Sequence, residues 1–301
     1  MSPILSRIAC GLSALLLPAA LVPAGLRAQT PDSALERSAG GLTLRVDALR
    51  DDVLRVRLYP AGQVPEDASW AVLPASRTAR VATTPTDTGF RTSAVVVSVA
   101  ADLQLTVTDL SGHVLQADAA PTEMHLAAGA PSFRVRKTMD GSDHFFGLGD
   151  KPGPLDRRSE SFVMWNTDSF GWQESTDPIY KDIPFFIDVR RGGRAVGVFL
   201  DNTTRTFFDF GHELTSEYTM SAPSGPVDYY LLAGPTPKQV IEAYAWLTGP
   251  TPLPPLWSLG YQQSRYSYFP QTDVEQIAHH LRADRIPADA IYLDIDYQDK
   301  N

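Results

Sequence analysis

Apolar and polar residues alternate with period two along much of the chain. Leu42, Leu44 and Val46 alternate with polar partners, Leu54, Val56 and Leu58 do so around Arg55 and Arg57, and Leu103, Leu105 and Val107 repeat the pattern. A period of two sends successive side chains to opposite sides of an extended backbone, so each set predicts a strand with one face toward a core. Further short strands are expected at residues 95–99, 123–126, 133–136, 162–165, 184–189, 195–200, 206–210 and 227–232. Many short strands separated by turn residues predict an all-β sandwich.

Near Gly234 the period changes. Thr236 is placed to cap a helix with Pro237 in its first turn, Val240, Ile241, Tyr244 and Leu247 are expected on one face, and Gly249 ends it. A stiff connector, Gly249-Pro250-Thr251-Pro252-Leu253-Pro254-Pro255, then marks a domain boundary. Beyond it, residues 256–261 read as a strand. Thr272 and Glu275 read as a capping box, and Val274, Ile277, Ala278 and Leu281 as the apolar stripe of a helix. The apolar run Ala290-Ile291-Tyr292-Leu293 completes a βαβ unit of the kind found in buried parallel sheets.

Composition adds bounds to this picture. A chain of 301 residues has room for two domains, and 43% hydrophobic residues supply a core. The net charge of −9 opposes a nucleic-acid partner, which needs a basic patch. The N-terminus reads as an export signal: Arg7, then an apolar stretch over residues 8–22, then small residues at Ala24, Gly25 and Ala28, with cleavage expected after Ala28. Pro18 and Pro23 oppose a long helix, and the stretch is shorter than the roughly 20 apolar residues that cross a bilayer. No stable membrane association is expected after cleavage. The single cysteine, Cys10, lies inside this segment, so the mature chain has no disulfide, which a large core tolerates. The expected location is a bacterial periplasm or the medium.

Three clusters carry candidate chemistry. In Leu293-Asp294-Ile295-Asp296-Tyr297 an apolar strand surfaces in carboxylates, as at the C-terminal mouth of a β/α barrel. Two plainer readings stay open there, solvated strand ends and the start of a calcium loop through Asp299. Arg265-Tyr266-Ser267-Tyr268-Phe269 follows the first strand of the same unit, where aromatic faces suit sugar C–H faces and also suit plain packing. Trp165-Asn166-Thr167-Asp168, with Asp177-Pro178-Ile179-Tyr180 following, is a loop able to clamp a polyol by stacking and carboxylate hydrogen bonds, or a turn stapled by its own polar side chains.

In order and spacing the chain resembles glycoside hydrolase family 31, the family of α-glucosidases and α-xylosidases. The resemblance rests on Phe146-Gly147-Leu148-Gly149-Asp150-Lys151, Trp165-Asn166-Thr167-Asp168, Ile183-Pro184-Phe185-Phe186, Gly197-Val198-Phe199-Leu200-Asp201-Asn202, Gly234-Pro235-Thr236-Pro237, Pro254-Pro255-Leu256-Trp257-Ser258-Leu259-Gly260-Tyr261, Arg265-Tyr266-Ser267-Tyr268 and Asp294-Ile295-Asp296-Tyr297. It implies a galactose-mutarotase-like β-sandwich followed by the first βαβ unit of a (β/α)8 TIM barrel. The boundaries it implies are signal peptide 1–28, sandwich 29–233, helix and connector 234–255, and barrel start 256–301. It also implies substrate-binding roles: Asp294 on a sugar in the subsite before the scissile bond, Tyr266 as an aromatic wall, and Asp168 on a sandwich loop leaning over the barrel mouth. Asp296 and Tyr268 are neighbours of these. Family members are retaining enzymes that need an aspartate nucleophile and an aspartate acid/base but neither metal nor organic cofactor, and their partner is an oligosaccharide.

The sequence departs from the family at one decisive point. The nucleophile motif, Trp followed two places later by Asp-Met, appears nowhere, and residues 251–301 fall far short of the roughly 250 of a complete barrel. The expectation is therefore a glycosidase front portion that is inactive alone, with no catalytic residue of its own. A second reading is a non-catalytic carbohydrate-binding sandwich. A third, a mutarotase-like sandwich with its own acid/base pair, has only the scattered His125, His144 and His212 to draw on.

Overall fold

A computed structural model describes residues 34–63, 65–126, 132–298 and 300. The export segment and its cleavage site lie outside the described residues. The chain runs β1 (Ala34–Ala39), β2 (Leu42–Arg50), β3 (Val53–Pro60), the short helix α1 (Pro74–Thr78), β4 (Thr84–Pro85), β5 (Gly89–Arg91), β6 (Val95–Val99), β7 (Leu105–Asp109), β8 (Val114–Ala117) and β9 (Glu123–His125). It continues through β10 (Ser132–Thr138), β11 (His144–Gly149), β12 (Ser161–Met164), β13 (Asp182–Val189), β14 (Ala195–Leu200), β15 (Thr206–Asp209), β16 (Glu217–Ala222), β17 (Val227–Leu232) and helix α2 (Pro237–Thr248). A short 3-10 helix (Leu256–Leu259), β18 (Gln262–Gln263), α3 (Gln271–Ala283), β19 (Ala290–Ile291) and a second 3-10 turn (Ile295–Tyr297) complete it.

Antiparallel strands form the expected sandwich. A seven-stranded sheet, β1-β2-β3-β17-β14-β13-β11, faces two five-stranded sheets, β12-β15-β16-β10-β9 and β4-β5-β6-β7-β8. A bridge between Asp118 and Lys137 links the two smaller sheets. Strand β17 shows how alternation serves two faces at once. Val227, Tyr229 and Leu231 enter the core between the sheets with Leu54, Val56, Val97, Val135 and Met220. Tyr230 and Leu232 point the other way and pack under α2 with Val53, Val240, Ala243 and Leu247. Both faces of the large sheet are thus covered, so β14 and β17 are buried throughout and β3 along its first six residues. An aromatic cluster of Phe145, Phe186, Phe208, Phe210 and Tyr218 fills one end, with Phe145 stacked on Phe210 at 4.6 Å between ring centres.

Helix α2 begins and ends as the sequence predicts. The Thr236 hydroxyl caps Gln239 N–H, and Gly249, at φ 97°, returns its N–H to the Ala245 carbonyl. Its buried face is Val240, Ala243 and Leu247, whereas Ile241, expected on that face, is about half exposed. Position 241 lies about 100° around the helix from Val240, and spacings of three and four carry the face to Ala243 and Leu247 instead. Gly197 of β14 lets the helix approach: a Cβ there would sit 2.5 Å from Val240 Cγ1.

Three further expectations change, two of them past the connector. Residues 256–261, expected as a strand, form the 3-10 helix Leu256–Leu259 and then only the two-residue β18. Pro254 and Pro255 offer no N–H to a ladder, and the turn closes locally as Ser258 N–H bonds the Pro255 carbonyl. Thr272 does not cap α3. The helix starts at Gln271 behind Pro270, whose carbonyl takes Asp273 N–H, and Glu275 accepts instead from the Gln271 side chain at 2.6 Å. Leu103, expected in a strand, sits in the turn before β7 at φ 71°. The parallel pairing of β18 with β19 around α3 is as the βαβ reading requires.

Candidate substrate-contact site

The loop between β12 and β13 is positioned by a buried lysine. The string Phe146 to Lys151 ends β11 in a bulge, where Gly147 (φ 133°) and Gly149 (φ 77°) let it cross β13 closely. A Cβ on Gly147 would lie 2.5 Å from the Phe185 carbonyl oxygen, and one on Gly149 2.3 Å from that of Lys181. This crossing delivers Lys151 inward, its side chain fully buried, with Nζ 2.6 Å from Asp177 Oδ1, 2.7 Å from Asp182 Oδ1 and 2.7 Å from the Val163 carbonyl. The two carboxylates then hold the loop. Asp182 Oδ2 accepts the Trp165 N–H at 2.5 Å, Asp177 Oδ2 accepts the Val163 N–H at 2.5 Å, and Asn166 Oδ1 accepts the Asp182 N–H at 2.8 Å. One buried ammonium between two carboxylates is a paired arrangement that the interior tolerates.

On this frame Asp168 is exposed, with Tyr180 beside it. Partial desolvation first, and the neighbouring Asp168 carboxylate second, raise the Tyr180 phenol above its ordinary value. Trp165 is also about half exposed, with the Arg205 guanidinium 5.4 Å from its ring centre. A cleft of about 400 Å³ lies beside it, lined by Met164, Trp165, Asn166, Asp182, Thr203 and Thr206 among others.

The remaining candidates sit at the ends of the parallel strands. Tyr266 is 71% exposed, whereas Tyr268 is buried and its hydroxyl accepts from the Gln263 amide at 2.7 Å. Asp294 follows β19 and caps the Ile295–Tyr297 turn, taking the Ile295 N–H at 2.7 Å, with Asp296 inside that turn. The strand pairing places Gln263 opposite Ile291, so the aromatic pair and the two aspartates leave the same, C-terminal edge of the two strands. Asp168 belongs to the sandwich. Among the described residues no hydrogen bond or ion pair joins its loop to the segment after Thr251. Within that segment Tyr268 is the one buried residue among those described, and Leu253, Leu256, Leu259 and Phe269 are each more than 70% exposed. The calcium-loop reading includes Asp299, outside the described residues.

Sequence reasoning left three residues of this site without a role: Lys151, Asp177 and Asp182. Lys151 and Asp177 stand in the strings singled out, but only burial and distance show that they hold the loop.

These parts in this order, an antiparallel sandwich, a capped helix, a Pro-rich connector and a parallel strand–helix–strand unit with acidic strand ends, define a β-sandwich protein that leads into a β/α unit. The chain belongs to glycosyl hydrolase family 31. The family's N-terminal galactose mutarotase-like domain matches residues 43–209 and its TIM-barrel domain residues 251–301. Alpha-glucosidase 2 of Bacillus thermoamyloliquefaciens is 40% identical over 258 residues, covering 84% of this chain and 32% of that protein. An α-glucosidase of Saccharolobus solfataricus is 37% identical over 165 residues, covering 55% of this chain and 24% of the relative. Among solved structures, a family 31 dextranase from Flavobacterium johnsoniae complexed with isomaltotriose superposes with a TM-score of 0.79 at 31% identity, over 88% of this chain and 33% of that one. The chain therefore spans about a third of the length of these relatives, or less.

Proposed function

We propose that this chain is the substrate-framing front part of an exported, retaining α-glycosidase that removes terminal α-linked glucose or xylose from an oligosaccharide. Asp168, Tyr266 and Asp294 bind the sugar, with Asp296 and Tyr268 beside them, and none of the five acts as nucleophile or acid/base. The domain limits are those of the sequence reading: 29–233 for the sandwich, 234–255 for helix and connector, 256–301 for the barrel start. Export rests on the apolar segment behind Arg7.

One observation carries the reading: the two family matches fall on the two segments that hold the candidates. Residues 43–209 contain Asp168, and residues 251–301 contain Tyr266 and Asp294. The chemistry is consistent with binding. Exposed carboxylates accept charge-assisted bonds from sugar hydroxyls, and an exposed tyrosine ring offers a flat face to C–H groups. Retention needs two carboxyl groups about 5–5.5 Å apart across the bond, which the reading assigns to later barrel strands.

The gene downstream of the Asn301 codon provides the test. An in-frame continuation with Trp-x-Asp-Met roughly a hundred residues on, by barrel spacing, is expected. The encoded protein should hydrolyse an aryl α-glucoside or α-xyloside with retention, and Asp294→Asn should lower its kcat/KM by about a hundredfold or more. Residues 29–301 alone should give no turnover. Clear hydrolysis by that piece, or no hydrolysis by the extended protein, would overturn the proposal.

A further inference from the structure

The cleft beside Trp165 contains a buried polar group that nothing in the fold satisfies. Thr206, first residue of β15, is 1% exposed, and its Oγ1 has no hydrogen-bond partner, yet the residue lines the cleft. Buried hydroxyls are normally paired, so an orphan in a cavity wall marks a place where a ligand group or water belongs. Asp182, also in the wall with its side chain 4% exposed, directs Oδ1 at Lys151 as an ion pair but takes no directed hydrogen bond on that oxygen. It shares the Lys151 ammonium with Asp177, so its charge is committed to holding the loop.

The rest of the wall is prearranged. The Trp165 backbone is fixed through its N–H to Asp182 and its carbonyl to the Thr167 hydroxyl at 2.6 Å, and Arg205 lies against the indole. Asn166 spends its carbonyl oxygen on the Asp182 N–H, which leaves its amide N–H2 as a donor. Asn202 spends both ends on Thr204, Ser224 and Pro226 and so only shapes the wall. An indole, a hydroxyl and an amide donor around a volume of about 400 Å³ match a pyranose ring with its C–H face and hydroxyl rim.

We infer that this cleft is a second saccharide subsite on the sandwich, which holds a glucosyl unit of an oligosaccharide through Trp165, Asn166 and Thr206. It is separate from the contact made by Asp168. The choice of an α-linked glucan rests on the α-glycosidase reading, but the recognition chemistry does not.

Titration calorimetry of the full chain with isomaltotriose tests it. Saturable binding is expected, weakened about tenfold or more by Trp165→Ala and about fivefold by Thr206→Val, as lost stacking and a lost hydrogen bond imply. Thr206→Val removes a hydroxyl that has no partner in the fold, so its thermal midpoint should match the parent's and separate binding from folding. The losses in Trp165→Ala and Thr206→Val should persist in an Asp168→Asn background, because the two contacts are separate. No saturable binding by the folded parent, or unchanged affinity in both cleft variants, overturns the inference. Loss of binding in Asp168→Asn alone would leave the proposed function standing and remove this subsite. Loss in the cleft variants, with no glycosidase activity in the extended protein, would keep the subsite and remove the function.

Discussion

Lys151 Nζ lies 2.7 Å from Asp182 Oδ1, and the other oxygen of the same carboxylate takes the Trp165 N–H. One ion pair thus ties the end of β11 to the entry of the loop over residues 165–181. Replacing Lys151 by Met leaves Asp177 and Asp182 uncompensated in a buried site, which typically costs about 3–5 kcal/mol. Urea unfolding of Lys151→Met should show that loss, and limited proteolysis should cut first within residues 165–181. An unchanged unfolding midpoint would show that the triad does not hold the loop.

Gly197 and Val240 set how closely α2 lies on the large sheet. A Cβ at Gly197 meets Val240 Cγ1 at 2.5 Å and Phe185 Cε2 at 3.1 Å. Gly197→Ala should destabilise by about 1–3 kcal/mol through overpacking. Adding Val240→Ala should recover part of that, so the double-mutant cycle should give a favourable coupling energy. Strict additivity would place the clash elsewhere.

Asp201 offers a pH signature. Burial, together with the nearby Asp228 carboxylate, pushes its carboxyl up to about 6, and its Oδ2 is buried without a partner. The folded chain therefore holds this proton where the unfolded chain, at the ordinary aspartate value of 3.8, has lost it. Stability from this group is present below the unfolded value and falls as pH rises toward about 6. Asp201→Asn should flatten that fall and raise the unfolding midpoint at neutral pH, read from urea titrations across pH 4 to 8. A variant that loses stability equally at every pH would contradict the assignment.

The Tyr180 hydroxyl neighbours the exposed Asp168 carboxylate and is placed to orient it. Tyr180→Phe should weaken saccharide affinity at Asp168 by about two- to tenfold, the worth of one ordinary hydrogen bond, without moving the thermal midpoint. In the extended protein the change should appear as a higher KM. No change in KM would mean that Asp168 needs no orienting partner.

The legible parts were those with a local cause. Strands Ala195–Leu200 and Val227–Leu232 match the expected bounds, because alternating or continuous apolar residues describe how many faces a strand buries. Others were passed over. Glu217–Ala222 carries a clear alternation in Tyr218, Met220 and Ala222 that period counting would have found. His144–Gly149 ends in glycines that lower strand propensity, and its conformation depends on the crossing strand β13. Ala34–Ala39 is a polar edge strand, with one neighbour and little to bury.

The sequence by itself determined the sandwich, the capped helix α2 and the parallel βαβ order, and it nominated Asp168, Tyr266 and Asp294 as candidates. Each follows from periodicity, capping chemistry or an ordered string of residues, all of which act between near neighbours. Only the tertiary structure decided that Lys151 is a buried clasp rather than a surface charge, that Tyr268 faces inward while Tyr266 faces out, and that the Thr206 hydroxyl is stranded in a cleft wall. Burial and the pairing of polar atoms depend on which distant strands come together. No local pattern encodes that meeting.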